Sequence, residues 1–160
     1  MLRLRAGRPH ATIIGDLTAP DVLPRDSFDC IIFSQTLQFI YEVRPAIAQL
    51  HAALKLGGVI LVTLPGISQI DRAEDWGGTW SWTFSTASAS RLFAEVFEAE
   101  SISVESHGNV FAATSFLQGL ASEEVPRAKL LVQDADYPVI VILRARKQRG
   151  PGVSSMPIVE

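Results

Sequence analysis

Apolar residues follow two different rhythms along this chain. Residues 28–34, Phe28-Asp29-Cys30-Ile31-Ile32-Phe33-Ser34, and residues 59–64, Val59-Ile60-Leu61-Val62-Thr63-Leu64, are almost unbroken apolar runs. That is the pattern of strands enclosed on both faces in a parallel sheet. Between them the period changes: Val43, Ile47, Leu50 and Leu54 recur at helical spacing and form one stripe. Pro45 suits the first turn of that helix, and Gly57-Gly58 reads as its stop. Strand, helix and strand joined this closely imply parallel pairing through a right-handed crossover.

The flanking segments extend the pattern. Ala11-Thr12-Ile13-Ile14 reads as a short strand that runs into a loop at Gly15-Asp16, and residues 17–27, with Pro20 and Pro24, read as a loop. Residues 67–85 form a long connection rich in Asp, Gly and Trp. A helix is expected over residues 85–100, with Leu92, Phe93, Val96 and Phe97 on one face and a Ser or Thr cap. Ile102 and Val104 alternate with Ser in a strand that ends at Gly108. A helix over residues 110–124 and a last strand over residues 137–146 complete the order. The fold class is therefore α/β, read as one domain over residues 11–147, with a loose start at 1–10 and a disordered tail at 148–160.

Composition narrows the possibilities. At 160 residues, 48% hydrophobic and 19% charged, the chain is globular and suits one domain. A net charge of −3 with scattered Lys and Arg gives no footprint for nucleic acid. No run reaches the ~18 apolar residues of a membrane span, and no signal region follows the basic start, so a cytoplasmic protein is expected. The one cysteine, Cys30, excludes an internal disulfide and reads as a small buried hydrophobe. Three separated histidines and one cysteine give no metal-ligand spacing, so no metal is expected.

Several of these segments together resemble a known family. Gly15-Asp16-Leu17, Leu23-Pro24-x-x-Ser27 to Gln38, and Leu54-Lys55-Leu56-Gly57-Gly58 to Thr63 look like the middle of a class I S-adenosylmethionine-dependent methyltransferase of the type 11 group. The resemblance implies a truncated Rossmann-like sheet with helices on both faces and an antiparallel final strand. It also implies S-adenosylmethionine as cofactor, lying across the carboxyl ends of the strands. Asp16, followed by Leu17, would accept a hydrogen bond from the adenine amino group. Ser34, Gln35 and Thr36 would flank the methionine part. The alternative for Asp16 is a turn cap, and for the others turn chemistry.

Methyl transfer rests mainly on holding the reacting atoms in line, and no residue declares itself as a general base. Trp76, Trp80 and Trp82 crowd the long connection. They either anchor it to the domain or offer rings to a substrate. His107, at a strand end before Gly108-Asn109-Val110, is a further substrate-side candidate; His51 reads as a boundary residue and His10 lies in the loose start. Within the family, a Trp-rich stretch followed by Gly-Asn-Val goes with glycan or cell-surface biosynthesis, which implies a small-molecule acceptor such as a sugar or glycan precursor. Asp71, Glu74 and Asp75 read as solvated.

The family's opening strand with its Gly-x-Gly-x-Gly loop, and a second strand ending in an acidic residue, have no counterpart here: no Gly-x-Gly occurs in the first 60 residues. Two strands are then missing between the Ile13 and Phe28 strands. The Ile13 strand then has no neighbour in the family's expected order, and the Phe28 strand has an open edge. Three outcomes are open: a fragment of a longer enzyme, a degenerate protein, or two copies paired as a homodimer. The chain alone is expected to be inactive in methyl transfer. The competing reading is a non-catalytic binding or scaffold protein that keeps the sheet and uses the open edge or the Trp loop.

Overall fold

A computed structural model of the chain describes residues 2–3, 12–70 and 80–148. Of the loose start expected at 1–10 only Leu2–Arg3 are described, and they form a strand instead; the expectations for residues 4–10 with His10, for Asp71, Glu74, Asp75 and Trp76, and for the tail beyond residue 148 lie outside the described residues.

Among the described residues, six strands and four α-helices follow in chain order: β1 (Leu2–Arg3), β2 (Ile13–Ile14), β3 (Phe28–Ser34), α1 (Val43–Ala53), β4 (Leu54–Pro65), α2 (Thr86–Phe93), β5 (Ile102–His107), α3 (Val110–Leu117), α4 (Arg127–Leu130) and β6 (Ile140–Arg146). The main sheet has the order β3-β4-β6-β5. β3 and β4 are parallel, with Cys30 opposite Val59 and Ser34 opposite Thr63. β6 runs antiparallel to both β4 and β5. β3, β4 and β5 therefore all point the same way, and their carboxyl ends share one edge. This is a mixed α/β sheet, with the antiparallel last strand that the family resemblance implies.

One face of the sheet holds the core. Phe33, Ile60, Val62, Leu64, Val141, Leu143 and Ala145 are buried there against Ala46, Ile47 and Leu50 of α1 and Ala89 and Phe93 of α2. The other face is different. Ile32 is 76% exposed, Leu61 40% and Ile142 37%, so no helix among the described residues seals that part of it. Enclosure of β3 on both faces, expected from its apolar run, is thus corrected: the strand lies at a sheet edge with one face covered. Cys30 is exposed rather than buried for the same reason. An apolar run identifies a strand but not how many of its faces find partners.

Other boundaries also move. β2 pairs in parallel with β1, Ile13 opposite Leu2, in a two-stranded sheet separate from the main one. Leu54 belongs to β4 instead of extending the helix, and Gly57-Gly58 lies inside the strand. Gly57 adopts φ 82°, and the β3–β4 register shifts between Phe28 and Cys30 there, so the glycines form a bulge. The end of α1 is held from elsewhere, because Lys147 Nζ donates to the carbonyls of Leu54 at 2.7 Å and Ala52 at 3.4 Å. The helix read over residues 85–100 stops at Phe93. It starts at a Ser85 cap whose side chain takes the Ser88 amide at 3.1 Å. The helix read over residues 110–124 ends at Leu117.

Candidate active site at the carboxyl edge

Three parallel strands deliver polar residues to the same sheet edge. At the end of β3, the Ser34 hydroxyl lies 2.8 Å from that of Thr63, at the equivalent point of β4. The Gln35 amide donates to the Thr63 carbonyl at 2.9 Å and to its hydroxyl at 3.2 Å. These bonds hold Gln35 in the left-handed region at φ 45°, a conformation that costs a residue with a side chain and clusters at functional sites. The Thr36 hydroxyl donates back to the Ser34 carbonyl at 2.8 Å. Thr36 thus begins the turn that leads into the 3-10 segment Leu37–Phe39.

Two residues of this cluster escaped the sequence reading. In the sequence Thr63 reads as part of an apolar run, although its hydroxyl at the carboxyl end of a strand is a visible signal. Gln38 sits among hydrophobic neighbours and is 2% exposed. Its Nε2 donates to Gln35 Oε1 at 3.3 Å, while its own Oε1, though buried, has no partner. A buried polar atom left unsatisfied is costly and calls for an explanation.

Asp16 follows β2 and does cap the next turn. Its Oδ1 accepts the Thr18 amide at 2.9 Å and the Thr18 hydroxyl at 2.8 Å. Those two bonds, the amide first, hold the carboxyl below its ordinary value. The side chain is exposed. Leu17 beside it is 4% exposed and joins the same core as Phe33 and Leu37, so only its main chain is offered to a ligand.

The tryptophan segment is tied to the chain just beyond β3. Trp80 meets Phe39 edge-on with centroids 5.3 Å apart. Ser81 donates its amide to the Gln38 carbonyl at 2.7 Å. Trp82 bonds the carbonyls of Ile40 and Tyr41 through Nε1. Anchoring of the loop is what these contacts accomplish. Trp82 also forms one wall of a groove of about 440 Å³ between the start of α1 and one side of α2, where Arg44 and Arg91 also line it. His107 stands apart. It ends β5, three strand spacings or roughly 14 Å from β3, and its Nε2 lies 3.9 Å from Glu105 Oε2 with both side chains exposed. His51 packs edge-on against Phe97 at 4.7 Å, and burial followed by the nearby Lys147 charge lowers its pKa. Among the described residues, no helix is long and apolar enough to cross a membrane.

With this geometry in view, the likeness to known proteins is specific. The profile of a family described as a methyltransferase domain matches residues 1–62. No curated protein matches the chain. Among solved structures, a methyltransferase from Thermotoga maritima titled a possible histamine N-methyltransferase is 18% identical, with a TM-score of 0.56 over 85% of this chain and 63% of its own. One from Mesorhizobium loti is 20% identical, with a TM-score of 0.53, covering 84% of this chain and 68% of that one. Haemonchus contortus phosphoethanolamine N-methyltransferase 2, solved with phosphomonomethylethanolamine and S-adenosylhomocysteine, is 15% identical with a TM-score of 0.54, over 85% and 37%. The chain thus spans between about a third and two thirds of the length of these proteins. Residues 1–62 match the methyltransferase-domain family, and the fold of the described chain is that of the S-adenosylmethionine-dependent methyltransferases.

Proposed function

We propose that this chain is the carboxyl-terminal portion of a methyltransferase that acts on a small molecule with S-adenosylmethionine as cofactor. The observation that carries this reading is the pair of parallel strands β3 and β4. Bridged by α1, they bring Ser34, Gln35 and Thr63 within hydrogen-bonding distance at their carboxyl ends. That is where open α/β sheets take their ligands.

The residues present fit part of such a cofactor. The exposed Asp16 carboxylate, kept ionised by Thr18, suits an exocyclic amino donor. Gln35, Ser34 and Thr36 supply amide and hydroxyl groups for the amino-acid end, with the orphaned Gln38 oxygen beside Gln35. When bound, the cofactor supplies a methyl group on an already activated sulfonium. The chain's own work is to bind and orient. Trp82 and the groove it walls offer an apolar surface to the acceptor, for which a sugar or glycan precursor is our choice, and His107 lies on the same edge. Nothing in the first 60 residues supplies a Gly-x-Gly turn for close backbone approach to the cofactor, so this chain alone binds weakly and turns over negligibly.

Titration calorimetry with S-adenosylmethionine tests both halves. Weak, millimolar binding that is lost in Asp16→Ala and Thr63→Val, with folding retained, supports the reading. Micromolar binding overturns the incomplete site, and no binding at any concentration overturns the cofactor assignment.

A further inference from the structure

We propose that the groove between α1 and α2 binds a sugar phosphate, with the phosphate on Arg91 and Arg44 and the sugar ring against Trp82. The inference rests on the small-molecule reading above and narrows the acceptor from a sugar to its phosphate ester.

The groove is built from described segments of this chain. Val43 and Arg44 come from the start of α1, Trp82 to Ser85 from the end of the connection after β4, and Arg91 and Glu95 from α2 and the turn that follows it. α2 packs over β5 and β6 and touches α1, which lies on β4. The groove therefore sits above the middle of the sheet, on its covered face and away from the β3 edge. It is also tied to the carboxyl edge, because the Phe84 amide donates to the carbonyl of Pro65, the last residue of β4, at 2.8 Å.

Charge decides what kind of ligand suits it. The ionised side chains lining the groove are Arg44, Arg91 and Glu95. Arg44 Nε donates to both carboxylate oxygens of Glu95, at 3.0 and 2.9 Å. That contact occupies the carboxylate and leaves both Nη groups of Arg44 as donors. Arg91 makes no hydrogen bond or ion pair among the described residues. Two arginines against one glutamate leave a charge of +1 here, in a chain whose net charge is −3. The start of α2 adds little, because the amides of Ser85 and Ser88 are taken by each other's hydroxyls in a capping box. An anion must rest on the guanidinium groups, which match phosphate oxygens in forked pairs.

The second contact is the indole. Trp82 is stacked on Tyr41 and held through Nε1, so the ring is fixed before a ligand arrives. It is still 37% exposed and forms a wall of the groove. A flat apolar face beside unpaired cations suits a molecule with both characters: the C–H face of a sugar packs on the indole while its phosphate reaches the arginines. A bare anion would use only the arginines and a neutral sugar only the ring. Two guanidinium groups also favour a phosphate ester, with three terminal oxygens and nearly two charges, over a single carboxylate.

The test is a titration of the full chain without cofactor, followed by the Arg91 Nε–H and Trp82 indole N–H resonances. The probes are glucose 6-phosphate, glucose, glucuronate and inorganic phosphate. Glucose 6-phosphate should shift both resonances and bind roughly tenfold more tightly than any other probe. Arg91 is exposed, so Arg91→Gln should keep the far-ultraviolet spectrum and weaken this binding by about tenfold. Glu95→Gln removes the opposing charge and frees Arg44 Nε, and should tighten it by about twofold or more.

An Arg91 resonance that glucose 6-phosphate does not move overturns the proposal. So does binding that Arg91→Gln leaves intact. Inorganic phosphate binding as tightly as the ester removes the role of Trp82, and glucuronate binding as tightly removes the preference for phosphate; either result overturns a sugar-phosphate site. S-adenosylmethionine is not needed in these titrations. If it fails to bind, this site stands without methyl transfer; if the sugar phosphate fails, the cofactor reading stands without this acceptor class.

Discussion

The indole of Trp82 lies stacked on the phenol ring of Tyr41, with centroids 5.8 Å apart and planes 29° from parallel. Its N–H reaches the Ile40 carbonyl at 3.1 Å and that of Tyr41 itself at 3.2 Å. One side chain from the connection after β4 therefore fixes the connection after β3. Both loops rise from the carboxyl edge, so the shape of the candidate site depends on this clasp.

Its strength can be divided by two substitutions. Trp82→Phe keeps a ring for Tyr41 and loses the shared donor, at a cost of about 1 kcal/mol. Trp82→Ala also loses the buried part of the ring and should cost about 2–3 kcal/mol in all. Denaturant unfolding at equilibrium gives both values. Equal losses would mean that stacking contributes nothing, and no loss in either would mean the loops are held independently.

Stability should fall in two stages on the acid side. His51 has its pKa lowered from 6.5 by burial and then by Lys147. Folding therefore disfavours its charged form, and this penalty sets in as pH drops below 6.5. Asp26 has its carboxyl lowered from 3.8 by its bond to Lys147, which lies at 2.7 Å. Its contribution is whole above 3.8 and disappears as pH falls through the folded value. Lys147→Met removes the partner of Asp26 and the side-chain donor to the Leu54 carbonyl, while the Ala52 carbonyl keeps the Asp26 amide at 3.0 Å; through the lost bond at Leu54 it should destabilise by about 1–2 kcal/mol at neutral pH. It should also flatten the lower stage, while the His51 stage persists because burial is its first cause. Melting temperature against pH for parent and variant checks this. An unchanged lower stage would show that Asp26 is not its source.

Much of the sheet could be read from the sequence, because β3, β4 and the stripe of α1 have distinct periods and short joints. What escaped it was non-local. The stop of α1 is supplied by Lys147 from beyond β6, so local sequence pointed to Gly57-Gly58, which instead bulges a strand. The exposure of Cys30 and Ile32 depends on whether anything packs on the second face of the sheet, and no pattern within seven residues encodes that. At the candidate site, strand-end residues such as Ser34 and Gln35 were legible as positions. Their shared partner Thr63 needed the register of two strands, and the orphaned oxygen of Gln38 needed packing in three dimensions.

The Thr63 hydroxyl links Ser34 to the Gln35 amide across two strands. Thr63→Val keeps the branched shape favoured in a strand and removes those bonds. A loss of about 1 kcal/mol is expected, since Ser34 is exposed and can turn to water. Amide exchange at Gln35 should speed up while exchange at Ile60 and Val62 stays unchanged. If Gln35 exchange is unaltered, its left-handed backbone is held by the Thr63 carbonyl alone.

Asn109 makes the sharpest case for a single residue. It is 5% exposed. Its Oδ1 takes the Ala112 amide at 2.8 Å, capping α3. Its Nδ2 donates to the carbonyl of Lys129 at 2.9 Å and to that of Val132 at 2.5 Å. The preceding Gly108 has φ 140° and passes so close to Tyr137 and Val139 that a Cβ there would sit 2.7 Å from main-chain atoms. The side chain thus arrives from a backbone with no room to shift. Asn109→Asp preserves the acceptor for α3 but replaces the donor with a second carboxylate oxygen facing two carbonyls. The helix cap alone is worth about 1 kcal/mol, whereas a buried donor pair turned repulsive costs about 2–4 kcal/mol. Asn109→Asp should therefore destabilise more than Asn109→Ser, which keeps the cap and leaves space for water. Unfolding at neutral pH decides between them: if the serine variant proves the weaker, the cap outweighs the two carbonyl bonds, and the segment around α4 is held by other contacts. Lowering the pH until the new carboxyl protonates gives a further check, because the aspartate variant should then recover part of its loss as the acid becomes a donor.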